Sequence, residues 1–284
     1  MRAGLWAVVW LVSVFACVPL AQAQQKFALP SLDRIGDRPV ALTAYWFAAE
    51  TASAAPAVVL LHGCSGPYDR HGVLSQRMVD YARLLNANGM GALVVDSLTP
   101  RGEKELCTQP IGARRVTQAN RRLDALAAVA WLAAQPRVDA RRIGLMGWSN
   151  GGSTLLASLN LRHPEVAAAP LRPAFAVAFY PGCEAELKRG FETHTKLLVL
   201  VGEADDWTPA ASCHALARAV QGTTPTVEIE GYGGAFHGFD SAAPVRLRID
   251  VPNGVRPGEG VHVGGDPAAR SASRQRLLRF LAQQ

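Results

Sequence analysis

The run Pro56 to Leu61 (PAVVLL) is the feature that most restricts what this chain can become. Six successive apolar residues without alternation do not suit a half-exposed strand; they read as a strand covered on both faces, ending at His62-Gly63. Such a strand needs helices above and below it, and the sequence alternates accordingly. Ser75 to Asn88 has helical spacing at Met78, Tyr81, Ala82, Leu84 and Leu85, and Gly89 ends it. A strand follows at Ala92 to Val95, then a long helix at Thr117 to Gln135 with Leu123, Leu126, Ala127, Ala130 and Trp131 on one side. Next come strand Arg142 to Met146, helix Gly152 to Leu161, strands Phe175 to Phe179 and Lys196 to Val201, and helix Pro209 to Val220. Strand Thr226 to Ile229 and helix Ser271 to Leu281 complete the series. This pattern predicts an α/β fold with a mostly parallel sheet and helices on both faces. Val40 to Phe47 has no helix before the next strand, which predicts an antiparallel edge. Val251 to Pro267, rich in Pro and Gly, reads as a surface excursion.

Composition removes several other classes. Of 284 residues, 49% are hydrophobic and only 18% charged, which excludes general disorder. No repeat period is present, so solenoids and propellers are excluded too. The net charge of +6 comes from dispersed residues without a basic run, so no nucleic-acid partner is expected.

The first 23 residues read as an export signal. Arg2 precedes an apolar stretch from Leu5 to Leu20, and Ala21-Gln22-Ala23 supplies the small-x-small cleavage pattern. Cleavage is expected before Gln24, leaving residues 24–284 as one domain in the periplasm or outside the cell, without stable membrane insertion. Phe15 and Ala16 make a poor lipidation context for Cys17. Four cysteines remain, Cys64, Cys107, Cys183 and Cys213; an even number in an oxidising compartment favours two disulfides, with three connectivities open.

Chemistry is legible at the strand ends. Gly147-Trp148-Ser149-Asn150-Gly151 fits the G-x-S-x-G nucleophile elbow. The five residues alone are weak, since 26 glycines make chance matches common. Their place between strand IGLM and a helix is stronger, because a sharp turn there lifts a serine oxygen above the sheet edge. A hydroxyl needs a base and an orienting acid. Strand KLLVLVG leads into Glu203, Asp205 and Asp206; Asp205, four residues before Pro209, is the leading acid and Asp206 the runner-up, otherwise a loop or capping charge. Of seven histidines, His237 in GAFHGFD follows the last strand and completes the order Ser, Asp, His. His62 reads as a loop-shaping residue; His71, His163, His194 and His214 fit surfaces or helix ends, and His262 has no assignable role. Two backbone N–H groups should stabilise a tetrahedral oxyanion, one from Asn150 and one from Cys64 in the His62–Gly66 loop.

Taken together, HGCSGPYDR, DSLTPRG, GWSNGG, FYPGC, GEADDWTP and GAFHGFD resemble the dienelactone hydrolase family of α/β-hydrolases, from about residue 56 to the C-terminus. The resemblance implies a roughly eight-stranded sheet, no metal or organic cofactor, and hydrolysis of small esters or lactones, with Ser149, Asp205 and His237 at the nucleophile, acid and base positions. Dienelactone hydrolases proper carry a cysteine nucleophile. Serine at 149 points instead to a more general carboxylic-ester hydrolase. An exported peptidase or acyltransferase on the same triad, and an inactive binding protein with a hydrolase fold, are the alternative readings.

All four cysteines fall at the strand ends where these motifs lie. Neighbouring strand order favours Cys64–Cys107 and Cys183–Cys213, which would brace the oxyanion and acid loops. No metal site is expected, because no zinc-type spacing occurs. Tyr68, Trp148 and Trp207 are candidate pocket-lining residues, and Arg70 and Arg101 candidate contacts for a carboxylate on the substrate.

Overall fold

The computed structural model describes residues 24–284 except 52, 223 and 225; the proposed export signal, residues 1–23 including Cys17, lies outside the described residues. Eight strands form one sheet: β1 (Gln25–Ile35), β2 (Arg38–Phe47), β3 (Ala55–Leu61), β4 (Gly91–Asp96), β5 (Val138–Trp148), β6 (Phe175–Phe179), β7 (Lys196–Gly202) and β8 (Val227–Tyr232). Their order is β1-β2-β4-β3-β5-β6-β7-β8. The β1–β2 and β2–β4 pairs are antiparallel, and every other pair is parallel. Helices α1 (Gln76–Ala87), α2 (Gln118–Ala133), α3 (Asn150–Leu159), α4 (Pro164–Ala167), α5 (Glu184–Arg189), α6 (Ala210–Ala219) and α7 (Pro267–Leu281) cover it. Among the described residues, no helix is long and apolar enough to cross a membrane.

The buried strands divide their side chains with a period of two. Ala57, Val59 and Leu61 of β3 join Leu145 of β5 and Val199 of β7 in one core, against Ala128 and Leu132 of α2, Leu155 of α3 and Leu216 of α6. Val58 and Leu60 face the other way, with Met146, Val177 and Leu198, onto Met78 and Leu85 of α1 and Leu277 and Phe280 of α7. Two cores, one per face, follow from the uninterrupted apolar strands.

Four expectations need correction. Val40 to Phe47 lies in β2, which is not the edge; β1 outside it pairs antiparallel through the two-residue turn at Gly36-Asp37. Pro30 and a register shift between Pro30 and Arg34 hide β1 from pattern reading, and both suit an edge strand. Next, α2 does not present a purely apolar face: Arg121, Arg122 and Asp124 are buried while Ala130 is exposed, because each buried charge has a tertiary partner. Then, α3 begins at Asn150 and α7 at Pro267, earlier than the spacing suggests; the Asp266 carboxylate caps α7 by accepting from the Ala269 N–H at 2.8 Å. Finally, the excursion is not irregular throughout: it contains strand β10 (Val261–Val263), which pairs antiparallel with β9 (Arg246–Arg248) just ahead of it.

Candidate active site

Strand β5 delivers Ser149 in a strained turn. Its φ of 53° and ψ of −119° lie outside the regions that non-glycine residues favour. The neighbours permit this only as glycine. A Cβ on Gly147 would stand 2.4 Å from the Gly151 carbonyl oxygen, and one on Gly151 would stand 2.0 Å from that of Leu61. Ser149 N–H donates to the Phe179 carbonyl at 2.9 Å, so β6 holds the turn from the side.

His237 arrives from the loop after β8. Its Nε2 lies 2.8 Å from Ser149 Oγ, and its Nδ1 lies 2.8 Å from Asp205 Oδ2. With Nδ1 donating to the carboxylate, Nε2 is left unprotonated and faces the hydroxyl. The other Asp205 oxygen accepts the N–H groups of Trp207 and Thr208, each at 2.8 Å, which fixes the carboxylate plane. The Thr208 hydroxyl sits between three groups: Asp205 Oδ2 and the Tyr180 carbonyl at 3.0 Å each, and His237 Nδ1 at 3.1 Å. Tyr180 and Trp207 pack their rings on the imidazole, both with centroids 4.7 Å away.

A second carboxylate, Asp240, anchors the histidine loop from beneath. It accepts from Tyr180 Oη at 2.7 Å, Tyr81 Oη at 3.0 Å, Trp148 Nε1 at 3.1 Å and Arg77 Nη2 at 3.1 Å. Burial and the neighbouring charge of Asp240 push the Tyr81 phenol well above its ordinary range, and burial does the same for Tyr180, so both stay protonated donors. Trp148 is therefore a core residue, 1% exposed, rather than pocket lining. Its indole is committed to Asp240 and stacks on Phe179.

On the other side of Ser149 lies the loop after β3. Cys64 is disulfide-bonded to Cys107, and Leu106 N–H donates to the Cys64 carbonyl at 2.7 Å, tying this loop to the one after β4. Cys183 and Cys213 form the second disulfide, joining the start of α5 to α6. Asn150 is the first residue of α3, so its N–H has no acceptor within the helix. His62 is buried: its Nε2 accepts the Ser97 N–H at 3.3 Å, which leaves Nδ1 to donate to the Gly63 carbonyl at 2.7 Å. Burial, then the Arg121 charge, holds its pKa well below the usual histidine range.

The remaining candidates have other partners. Asp206 accepts from His262 through both the backbone N–H at 2.8 Å and Nδ1 at 2.7 Å. His262 thereby hangs the β9–β10 hairpin on the acid loop, a role its sequence context does not reveal. Glu203 pairs with His214, and His163 with the buried Glu186. Arg101 is not available to a ligand, because it is committed to Asp33 and Asp124. Tyr68, Arg70, Lys104, Cys107 and Arg248 line a cleft of about 670 Å³ beside the loop after β3. The Arg248 guanidinium lies over the Trp207 ring, which links this cleft to His237.

A parallel sheet in this order, with a strained serine turn leaving β5, defines an α/β-hydrolase. No curated protein matches the sequence. The chain belongs to the dienelactone hydrolase family, whose sequence profile matches residues 42–284. In structure it is similar to a protein of Klebsiella pneumoniae subsp. pneumoniae MGH 78578 assigned to the dienelactone hydrolases. The two share 19% identity and a TM-score of 0.67, over 92% of this chain and 99% of that one. It is also similar to Thermogutta terrifontis esterase 2 phosphorylated by paraoxon, at 17% identity and a TM-score of 0.62, over 92% and 94% of the two chains. The propionate-bound form of that esterase gives 19% identity and 0.60, with coverage of 92% and 94%. At these identities the likeness is one of fold.

Proposed function

We propose that this protein is a serine hydrolase of small carboxylic esters or lactones. In this reading Ser149 Oγ attacks the carbonyl while His237 Nε2 takes its proton, and Asp205 holds the imidazole and stabilises its positive charge. The oxyanion is received by the N–H groups of Cys64 and Asn150. His237 then gives its proton to the leaving alcohol, and water cleaves the acyl-enzyme by the same path in reverse roles. The observation that carries the proposal is the continuous Ser149–His237–Asp205 relay, 2.8 Å at each step, on a strained serine turn. The triad order along the chain and the family membership agree with it.

The site is proposed to work outside the cytoplasm, in one domain spanning residues 24–284. Two disulfides fit an oxidising compartment, and residues 1–23 have the pattern of a cleaved signal. Purified mature protein is expected to hydrolyse p-nitrophenyl esters of short acids and to be labelled by a fluorophosphonate probe. An organophosphate such as paraoxon, which phosphorylates the Thermogutta esterase, should stop turnover. Ser149→Ala should reduce turnover by at least about 10⁴-fold and abolish labelling while the fold remains. Labelling of that variant at wild-type level would refute the assignment.

A further inference from the structure

Arg121 is a buried cation without a counter-ion. Only 1% of it is exposed, and among the described residues no carboxylate pairs with it. Two anions act on it from a distance, Asp124 and then Asp96, and both are already occupied, Asp124 by Arg101 and the Ser31 hydroxyl and Asp96 by the N–H groups of Leu98 and Thr99. Its position is the fourth residue of α2, near the positive end of a helix dipole, where a cation is disfavoured. Burial lowers its pKa to about 10, which still leaves it charged at neutral pH. Removing a guanidinium from water without pairing it is costly, so stability does not explain its presence.

Its hydrogen bonds supply the explanation. Nη2 donates to the His62 carbonyl at 2.7 Å, and Nη1 donates to Asn150 Oδ1. The Nε group has no partner among the described residues. One acceptor belongs to the loop that carries the Cys64 N–H, and the other to the residue whose own N–H begins α3. Both halves of the proposed oxyanion hole are therefore clamped by one planar fork, which suits the fixed geometry of arginine and not that of lysine. His62, whose carbonyl accepts from Arg121, is held well below the usual histidine range by burial and then by the Arg121 charge, so it stays neutral and does not compete for the same anion.

Resting on the serine-hydrolase reading, we infer that Arg121 is a positioning residue for the reaction: it sets the spacing of the Cys64 and Asn150 amides, and its charge, which makes no direct ion pair among the described residues, backs the hole in which the oxyanion forms. The ester substrate is neutral at its carbonyl oxygen, whereas the tetrahedral intermediate is not. The benefit of Arg121 therefore falls on the chemical step more than on substrate binding.

The test compares Arg121→Met and Arg121→Lys with wild type. Each is measured for kcat and KM on p-nitrophenyl acetate, for inhibition by a trifluoromethyl ketone that forms an anionic adduct on the serine, and for melting temperature. Arg121→Met is expected to lower kcat about 10- to 100-fold with KM changed less than about threefold, and to weaken the ketone in parallel. Its melting temperature should change by no more than a few degrees, because relief of an unpaired buried charge offsets the loss of the two hydrogen bonds that Arg121 donates. Arg121→Lys keeps the charge without the fork and should fall between the two. If Arg121→Met keeps wild-type kcat, or loses kcat while the ketone binds as before, the inference is overturned. Should Arg121→Met fail to fold, Arg121→Lys decides alone: wild-type kcat and ketone affinity overturn the inference, and a parallel loss of both supports it. Turnover and Ser149 labelling of the wild type, run alongside, test the hydrolase reading separately.

Discussion

The two sides of Ser149 are built with opposite charge. On the base side, buried carboxylates do the organising: Asp205 accepts from His237, Trp207 and Thr208, and Asp240 gathers four donors around Trp148, Tyr180 and α1. On the side of the proposed oxyanion hole, the buried cation Arg121 holds two neutral oxygens, and the adjacent histidine is kept uncharged. The difference matches the charge separation that ester cleavage creates. In the proposed mechanism a positive imidazolium develops on one side and a negative oxygen on the other, and each forms against a pre-placed charge of opposite sign. Hydrogen-bond satisfaction differs as well. Asp240 is fully engaged, whereas Arg121 retains an idle Nε–H. Asp240 should therefore carry stability, and Arg121 rate.

The largest expected break in this contrast is Asp240→Ala. It strands the indole, two phenols and Arg77, and should cost about 3 kcal/mol or more in a urea titration. An Asp240→Ala protein as stable as wild type would remove the stability role from the acidic side. A middle-sized effect is expected for Thr208→Val, which keeps the shape but leaves Asp205 and the Tyr180 carbonyl without the hydroxyl. Here kcat should fall about tenfold, with a melting temperature within a few degrees of wild type. The smallest effect concerns pH. The folded-state pKa of His62 lies below its unfolded value, so as pH falls the unfolded chain takes up the proton first. Its contribution to stability is present above about pH 6.5 and declines below it, by at most about 1.4 kcal/mol per pH unit. His62→Gln retains an acceptor for the Ser97 N–H without titrating, and its melting temperature should fall less steeply than that of wild type as the pH drops from about 6.5 to about 5. Identical slopes would mean that His62 does not govern the acid limb.

Legibility in the sequence follows the range of the interactions. Strands β3, β4, β6 and β7 are uninterrupted apolar runs, and their pattern is visible within a few residues. Asp205 follows one of these, β7, while Ser149 and His237 follow β5 and β8, so their shared edge can be expected from strand–helix alternation. Partners distant along the chain leave no comparable mark. Asp240 lies three residues from His237, but nothing local tells a carboxylate bound by α1 and β5 from a solvated one. Arg121 sits in a helix whose apolar spacing suggests another face, and only the folded chain brings it to His62, 59 residues away. Tyr180 is hidden for a different reason: its φ of 37° is a left-handed geometry that tyrosine seldom adopts, imposed here by what surrounds it. The excursion is recognisable as irregular, but the His262–Asp206 contact that secures it spans 56 residues and has no periodic signature.

The two disulfides also shape the chain when it is not folded. One closes a ring across a sequence separation of 43 and the other across 30, and the rings do not overlap. By loop-closure entropy each removes about 4 kcal/mol of freedom from the denatured chain. The first ring keeps the ends of β3 and β4 together around α1, and the second keeps the end of β6 beside α6 with β7 between them. An oxidised, denatured molecule is thus a string with two closed beads, each already holding one catalytic loop near its future neighbour. If the protein works outside the cytoplasm, as proposed, recovery after unfolding starts from two pre-closed segments rather than from an open chain.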